Sequence, residues 1–200
     1  MVAARDIQPP ALSPDEYLDW EPKQLEKYEY LEGQVHAMTG GTINHGRLGI
    51  RFTSLFDTHL ENTRCIAGNS DIKINICGSA NYTYPDASVT CDERDLSNSQ
   101  YITYPCLLVE ILSDSTEGYD RGEKFRLYRK NPSLIDYLMV NSTKIEMDLY
   151  HKNEAGEWII INYQAGDIIC LESINLRFPI EQVYRGLTLT TESPTTAPSE

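Results

Sequence analysis

Two hundred residues with 40% hydrophobic and 10% aromatic content are enough for one sizeable core, and a single domain over residues 1–187 is expected. A formal net charge of -13 and a sequence pI of about 4.7 favour solubility and argue against broad electrostatic attraction to nucleic acid or to an anionic membrane. Cys65, Cys77, Cys91, Cys106 and Cys170 form no CxxC pair, so neither a disulfide framework nor a zinc ribbon is suggested; with no membrane span or secretory signal in view, the expected setting is the cytoplasm, with reduced thiols.

Ser13-Pro14-Asp15-Glu16 places a hydroxyl cap, a proline at the first helical position and acids in the first turn, which predicts a short helix carrying Tyr17, Leu18 and Trp20. Tyr28 to Met38 reads as a hairpin or a bulged strand around Gly33. Gly40-Gly41 then breaks the chain before a helix from about Ile43 to Asn62, with Leu48, Phe52, Leu55, His59 and Leu60 at helical spacing. The alternation of Ile72, Ile74 and Ile76 with Asp71, Lys73 and Asn75 predicts one strand between Cys65 and Ile76. After a turn, Tyr84 to Cys91 predicts another strand, with Asp86, Ser88 and Thr90 on one face and Ala87, Val89 and Cys91 on the other.

A polar loop from Asp92 to Gln100 leads to Leu107-Leu108-Val109-Glu110-Ile111-Leu112, apolar on both faces except for Glu110. This reads as a central strand buried on both sides, where an ionised carboxylate costs several kcal/mol unless a cation or a metal compensates it. Asp120, Lys124 and Tyr128, spaced four apart, share one face of a helix beginning near Gly118, so an acid and a base face one cleft. Ile135 to Val140 predicts a further apolar strand, and Ile145 to Tyr150 with Trp158 to Tyr163 predict a hairpin. Thr188 to Glu200, rich in threonine, proline and serine, is expected to be a disordered tail. The alternation of helices with strands makes an α/β chain with a mixed sheet flanked by helices and an extra C-terminal β-hairpin.

No phosphate loop, dinucleotide fingerprint, H-E-x-x-H or G-x-S-x-G motif occurs. An ordered set of motifs remains. It comprises Glu29-Tyr30-Leu31-Glu32-Gly33, His45 opening a helix, Pro85-Asp86, Leu108-Val109-Glu110-Ile111-Leu112-Ser113, and Asp120 with Lys124 and Tyr128. From about Ser13 to about Tyr163 the chain resembles the PD-(D/E)XK nuclease superfamily and, within it, the Uma-two family of restriction-endonuclease-like proteins. The resemblance implies an αβββαβ core, Asp86, Glu110 and the Ile111 position as a site for Mg²⁺ or Mn²⁺, and a lysine assisting phosphodiester hydrolysis. The usual place of that lysine, two residues after the acid, is Leu112 here, so the role passes to Lys124 on the following helix, with Lys73 and Lys130 as further candidates.

The chemistry stands beside the likeness. Phosphodiester hydrolysis needs an activated water and relief of developing negative charge, both supplied by Mg²⁺ held by one or two carboxylates. Asp86, Glu110 and Lys124 are the catalytic candidates, with Glu29, His45, Asp120 and Tyr128 in support. The expected partners are DNA and a second copy of the chain, since a nuclease cutting both strands calls for a homodimer. The basic run Arg121, Lys124, Arg126, Arg129 and Lys130 offers a face to phosphate despite the acidic total. Two other readings stay open: a catalytically idle nuclease fold serving as a protein-interaction module, with Glu110 and Lys124 a structural ion pair, and a hydrolase of small phosphoesters.

Overall fold

The computed structural model describes residues 11–38, 40–76, 80–113 and 117–189. Its N-terminal helix α1 (Pro14–Trp20) starts with a reciprocal cap: the Ser13 side chain accepts from the Glu16 amide and the Glu16 carboxylate accepts from the Ser13 amide. Then β1 (Tyr28–Leu31) turns through Glu32 and Gly33 into β2 (Gln34–Ala37). Both turn residues have positive φ, 50° and 86°, a conformation that favours glycine and makes the turn tight. The long helix α2 (Ile43–Leu60) buries Leu48, Phe52, Phe56 and Leu60. Phe56 thus takes the inward position that the sequence suggested for His59, which is exposed.

The single strand expected between Cys65 and Ile76 is two strands in different sheets, β3 (Ile66–Asn69) and β4 (Ile74–Asn75). Asn69 is the reason: its side-chain oxygen accepts the Asp71 amide and its carbonyl accepts the Ile72 amide, a local turn that outcompetes continued pairing. After β5 (Tyr82–Thr83) and β6 (Ala87–Thr90), Asp92 caps a one-turn helix α3 (Glu93–Leu96) inside the expected loop. Then come β7 (Pro105–Leu112), α4 (Glu117–Tyr119), a π turn (Asp120–Lys124) and α5 (Phe125–Tyr128). The chain continues through β8 (Asp136–Asn141), β9 (Glu146–Lys152), β10 (Trp158–Gln164), β11 (Ile168–Leu171), β12 (Leu176–Pro179) and α6 (Glu181–Tyr184).

The main sheet has the order β10-β9-β8-β7-β6-β3, mixed because only β7 and β8 run parallel. A smaller sheet has the order β2-β1-β5-β4, and β11 pairs with β12 alone. On one face of the main sheet, Val109, Ile111, Leu138 and Val140 pack with Leu48, Phe52 and Phe56 of α2 and with Phe178 and Val183 beyond β10. On the other face, Leu108, Leu112, Tyr137 and Met139 meet Ile74, Leu127 and Tyr128. Central β7 is therefore covered on both sides, as its sequence predicted. Burying one such aromatic or aliphatic side chain stabilises the fold by about 1.5–3 kcal/mol.

The cysteine expectation is corrected for one pair. Ile66 stands opposite Thr90 in the β3–β6 ladder, which brings the adjoining Cys65 and Cys91 together, Cα atoms 4.0 Å apart, in a disulfide. A separation of 26 residues forms no sequence motif; only the ladder makes them neighbours. Cys106 and Cys170 are free, and Cys77 lies outside the described residues. Residues 190–200, most of the expected tail, also lie outside them, while the Thr188 carbonyl accepts from Asn44 Nδ2 at 2.7 Å. Among the described residues, no helix is long and apolar enough to cross a membrane.

Candidate active site

The register of β6 against β7 puts Ala87 opposite Val109, so the next positions along the ladder are Asp86 and Glu110. Asp86 stands one residue ahead of β6 and its side chain continues the ladder: Oδ2 accepts the Ile111 amide at 2.7 Å. The other oxygen, Oδ1, lies 2.8 Å from His45 Nε2 in the first turn of α2. That turn is fixed in its place by Thr42, whose hydroxyl accepts the His45 amide at 3.2 Å. The hydrogen bond to Asp86 holds the His45 pKa above the usual imidazole range, overcoming the opposing effect of burial.

Glu110 is buried on the face of β7 turned toward the smaller sheet, with only its edge on the cavity. Lys124 Nζ reaches its Oε1 at 3.1 Å and also lies 3.2 Å from Glu29 Oε1 and 3.4 Å from Asp120 Oδ1. The π turn makes this possible, since its wider winding lets Asp120 and Lys124 both face inward, each nearly buried. Behind them the Tyr128 hydroxyl sits 3.0 Å from Glu110 Oε1 and 2.9 Å from Thr83 Oγ1. Glu29 arrives from β1 of the smaller sheet, held by the Tyr84 amide at 3.1 Å. Tyr137 donates to the Asp120 carbonyl at 3.1 Å, fixing the π turn on β8.

The electrostatics follow from one ammonium among several carboxylates. Burial, with Asp120, Asp86 and Glu29 adding repulsion, pushes the Glu110 pKa well above the carboxylate range against the pull of Lys124. Burial alone would lower the Lys124 pKa, but Glu110, Glu29 and Asp120 together hold it well above its ordinary value. Lys124 is therefore a fixed cation, and Glu110 is a carboxylate that readily holds a proton.

All of the polar candidates but Tyr128 line one cavity of about 170 Å³, with Glu29, His45, Asp86, Glu110, Asp120 and Lys124 on its wall and the Ile111 backbone beside them. Met38, His45 and Asp86 are shared with a groove of about 710 Å³ along α2. Lys73 lies elsewhere, buried against Glu21 at 3.1 Å. Three members of the basic run are engaged, Arg121 with Glu117 and Asp148, Lys124 with its three acids, and Arg126 with Glu32 and Glu123, while Arg129 and Lys130 stand exposed outside the cavity. Sequence reasoning missed the Tyr84 amide, Thr83 and Tyr137. A backbone donor has no side-chain signature, and the two hydroxyls act from behind the acids.

Among the described residues, no group of three or more His, Cys, Asp or Glu side chains is arranged to hold a metal ion. Asp86 and Glu110 are two hard oxygen donors on one cavity wall, and a carboxylate with hydrogen bonds to His45 or Lys124 keeps further lone pairs. Such a donor set fits Mg²⁺, which takes one or two carboxylates and retains its waters.

Residues 14–181 match the model of Uma2, a family described as "Putative restriction endonuclease". The chain belongs to the Uma2 family. Similar proteins in Synechocystis sp. include the uncharacterized protein slr1290, 58% identical over 178 residues (89% of this chain, 94% of the relative), and the uncharacterized protein sll1609, 32% identical over 151 residues (74% and 85%). A crystal structure of a "putative nuclease" of DUF820 from Anabaena variabilis superposes with a TM-score of 0.73 at 15% identity, covering 86% of this chain and 97% of that one. At that identity the likeness concerns the fold, and it agrees with the mixed α/β architecture. This Uma2 chain is accordingly restriction-endonuclease-like and nuclease-like in family and fold.

Proposed function

We propose that this protein is a Mg²⁺-dependent endodeoxyribonuclease hydrolysing DNA phosphodiester bonds, with Mn²⁺ able to replace Mg²⁺. The observation that carries the reading is the meeting of Asp86 and Glu110 from adjacent strands on one cavity with a buried ammonium 3.1 Å from Glu110. Asp86, Glu110 and the Ile111 position would hold the metal, which supplies Lewis acidity and lowers the pKa of a bound water. The remaining residues prepare the cavity. His45 and the Ile111 amide fix the rotamer of Asp86; Tyr128 fixes Glu110; Glu29 and Asp120 anchor Lys124. Lys124 places a permanent positive charge beside the reacting phosphate, where negative charge develops. Cutting both strands of a duplex would use a homodimer presenting two such cavities.

The test is cleavage of supercoiled and linear DNA by the purified protein with Mg²⁺ or Mn²⁺ at low salt, beside Asp86→Asn and Lys124→Ala. The reading predicts metal-dependent nicking that both substitutions abolish. Absence of cleavage by every form, together with absence of Mn²⁺ binding in calorimetry, would overturn it and favour the interaction module. Turnover of a small phosphoester without attack on DNA would move the substrate to that class.

A further inference from the structure

Arg47 and Arg51 stand one turn apart on α2, on the flank facing the end of α6. Arg47 Nη1 donates to the Gly186 carbonyl at 2.8 Å and Arg51 Nη1 to the Val183 carbonyl at 2.5 Å. Arg185 lies between those two residues in the chain, and Arg47 and Arg185 are exposed while Arg51 is half-buried. The guanidiniums sense one another, for the Arg51 pKa is lowered by burial and then by Arg47 and Arg185.

None of the three has a carboxylate at ion-pair distance among the described residues, nor do Arg129 and Arg177, whereas Arg64, Arg94, Arg121 and Arg126 each do. The nearby acid Glu181 is engaged with the Gly166 amide at 2.6 Å. In a chain with 30 acids against 17 Lys and Arg, what sets these three apart is that they stand together, two of them fixed on neighbouring carbonyls. Like charges held together are unfavourable unless an anion is brought to them. Guanidinium forks match phosphate oxygens, and the carbonyl bonds hold two of these side chains in place with donors to spare. His45, which opens onto the cavity, precedes Arg47 by two residues and so faces the other side of the same helix, one helix width of about 10 Å away, a span that a nucleic-acid backbone crosses at the helix's first turns.

We propose that Arg47, Arg51 and Arg185 form a phosphate-binding track that carries the nucleic-acid backbone to the cavity at the N-terminal end of α2. Its role in delivery rests on the nuclease reading; its affinity for a polyphosphate backbone does not. A role confined to capping the carbonyls of α6 would need the hydrogen bonds and not the charge, so Arg→Gln substitutions separate the two.

The experiment measures fluorescence anisotropy of short single-stranded and duplex DNA of arbitrary sequence in EDTA, where no cleavage intervenes. Wild type is compared with Arg185→Gln and with the triple variant R47Q/R51Q/R185Q as salt is raised. Each lost phosphate contact removes about 0.9 from the slope of log affinity against log salt for a duplex, so wild type should weaken about 40-fold more than the triple variant between about 50 and 200 mM salt. Arg185→Gln alone, altering an exposed side chain, should remove about one contact and leave the melting temperature unchanged. A salt slope identical in wild type and triple variant overturns the track even if wild type cuts DNA. Failure of wild type to bind either probe at the lowest salt overturns it as well. A slope that falls as expected in a protein that never cuts DNA leaves the track standing and removes the nuclease reading.

Discussion

Replacing Lys124 by alanine leaves Glu29, Glu110 and Asp120 without their common cation. The ammonium lies 3.2, 3.1 and 3.4 Å from these carboxylates, and all four side chains are at least nine-tenths buried. At an effective dielectric constant of about 20, each contact contributes roughly 5 kcal/mol of gross attraction, offset by desolvation and by repulsion among the acids. Removing one partner of a buried ion pair costs about 3–5 kcal/mol, and that range is expected for Lys124→Ala at neutral pH without divalent metal. The deficit depends on pH in a definite sense. The folded Glu110 pKa is raised, so the folded chain retains a proton that the unfolded chain releases; the associated stability is present below about pH 4.5 and is lost as pH rises through the raised value. Stripped of Lys124, Glu110 takes up a proton still more readily, and the deficit shrinks as pH falls from about 7 to about 5. Saturating Mn²⁺ shrinks it as well by supplying the missing charge. Urea unfolding of both proteins at the two pH values, with and without Mn²⁺, measures these differences. A deficit below about 1 kcal/mol at neutral pH without metal, the scale of a surface pair, would refute the reasoning, as would one unchanged by pH.

His45 should titrate by NMR above the ordinary histidine value, and Asp86→Asn should lower that pKa, because the Asp86 hydrogen bond is the main cause of the elevation. The same sign makes the His45–Asp86 contribution to stability greatest below the ordinary imidazole pKa and lost as pH rises through the raised one. Gly41→Ala would set a methyl group 2.8 Å from the His45 ring carbons, so the ring must shift off Asp86, and both the pKa elevation and the cleavage rate should fall together. Tyr128→Phe removes a buried hydroxyl shared by Glu110 and Thr83, and thermal unfolding should show a loss of about 1–3 kcal/mol. Phe52→Ala empties a fully buried site between Phe56 and Phe178 and should cost about 3–5 kcal/mol in urea, with metal affinity retained in the folded fraction.

Much of the site was legible because its chemistry conflicts with its surroundings. Glu110 interrupts an otherwise apolar strand, and only a compensating charge makes that tolerable; Lys124 on the next element is that charge. The pairing of β6 with β7 was legible only as a possibility, and the register then brought Asp86 beside Glu110. Side-chain spacing misled where local hydrogen bonding decided the path, as at Asn69, which ends β3 although the isoleucine alternation continues. The basic run from Arg121 to Lys130 is only partly open to phosphate, which a linear sequence does not show: Asp148 and Glu32 arrive from β9 and the β1–β2 turn to occupy two of its arginines, while Arg129 and Lys130 stay exposed. The clustered arginines at positions 47, 51 and 185 are 134 residues apart at their second gap and meet only because α6 folds back on α2. The strands β11 and β12 were not anticipated, since each is four residues long and their burial depends on packing against the α2 face.

The measurement that bears most directly on the site is an anomalous difference map from a crystal soaked in Mn²⁺. The account predicts a peak within coordination distance, about 2.0–2.3 Å, of carboxylate oxygens of both Asp86 and Glu110, absent in Glu110→Gln. A well-occupied Mn²⁺ bound elsewhere, or none in a protein that cuts DNA, would contradict it.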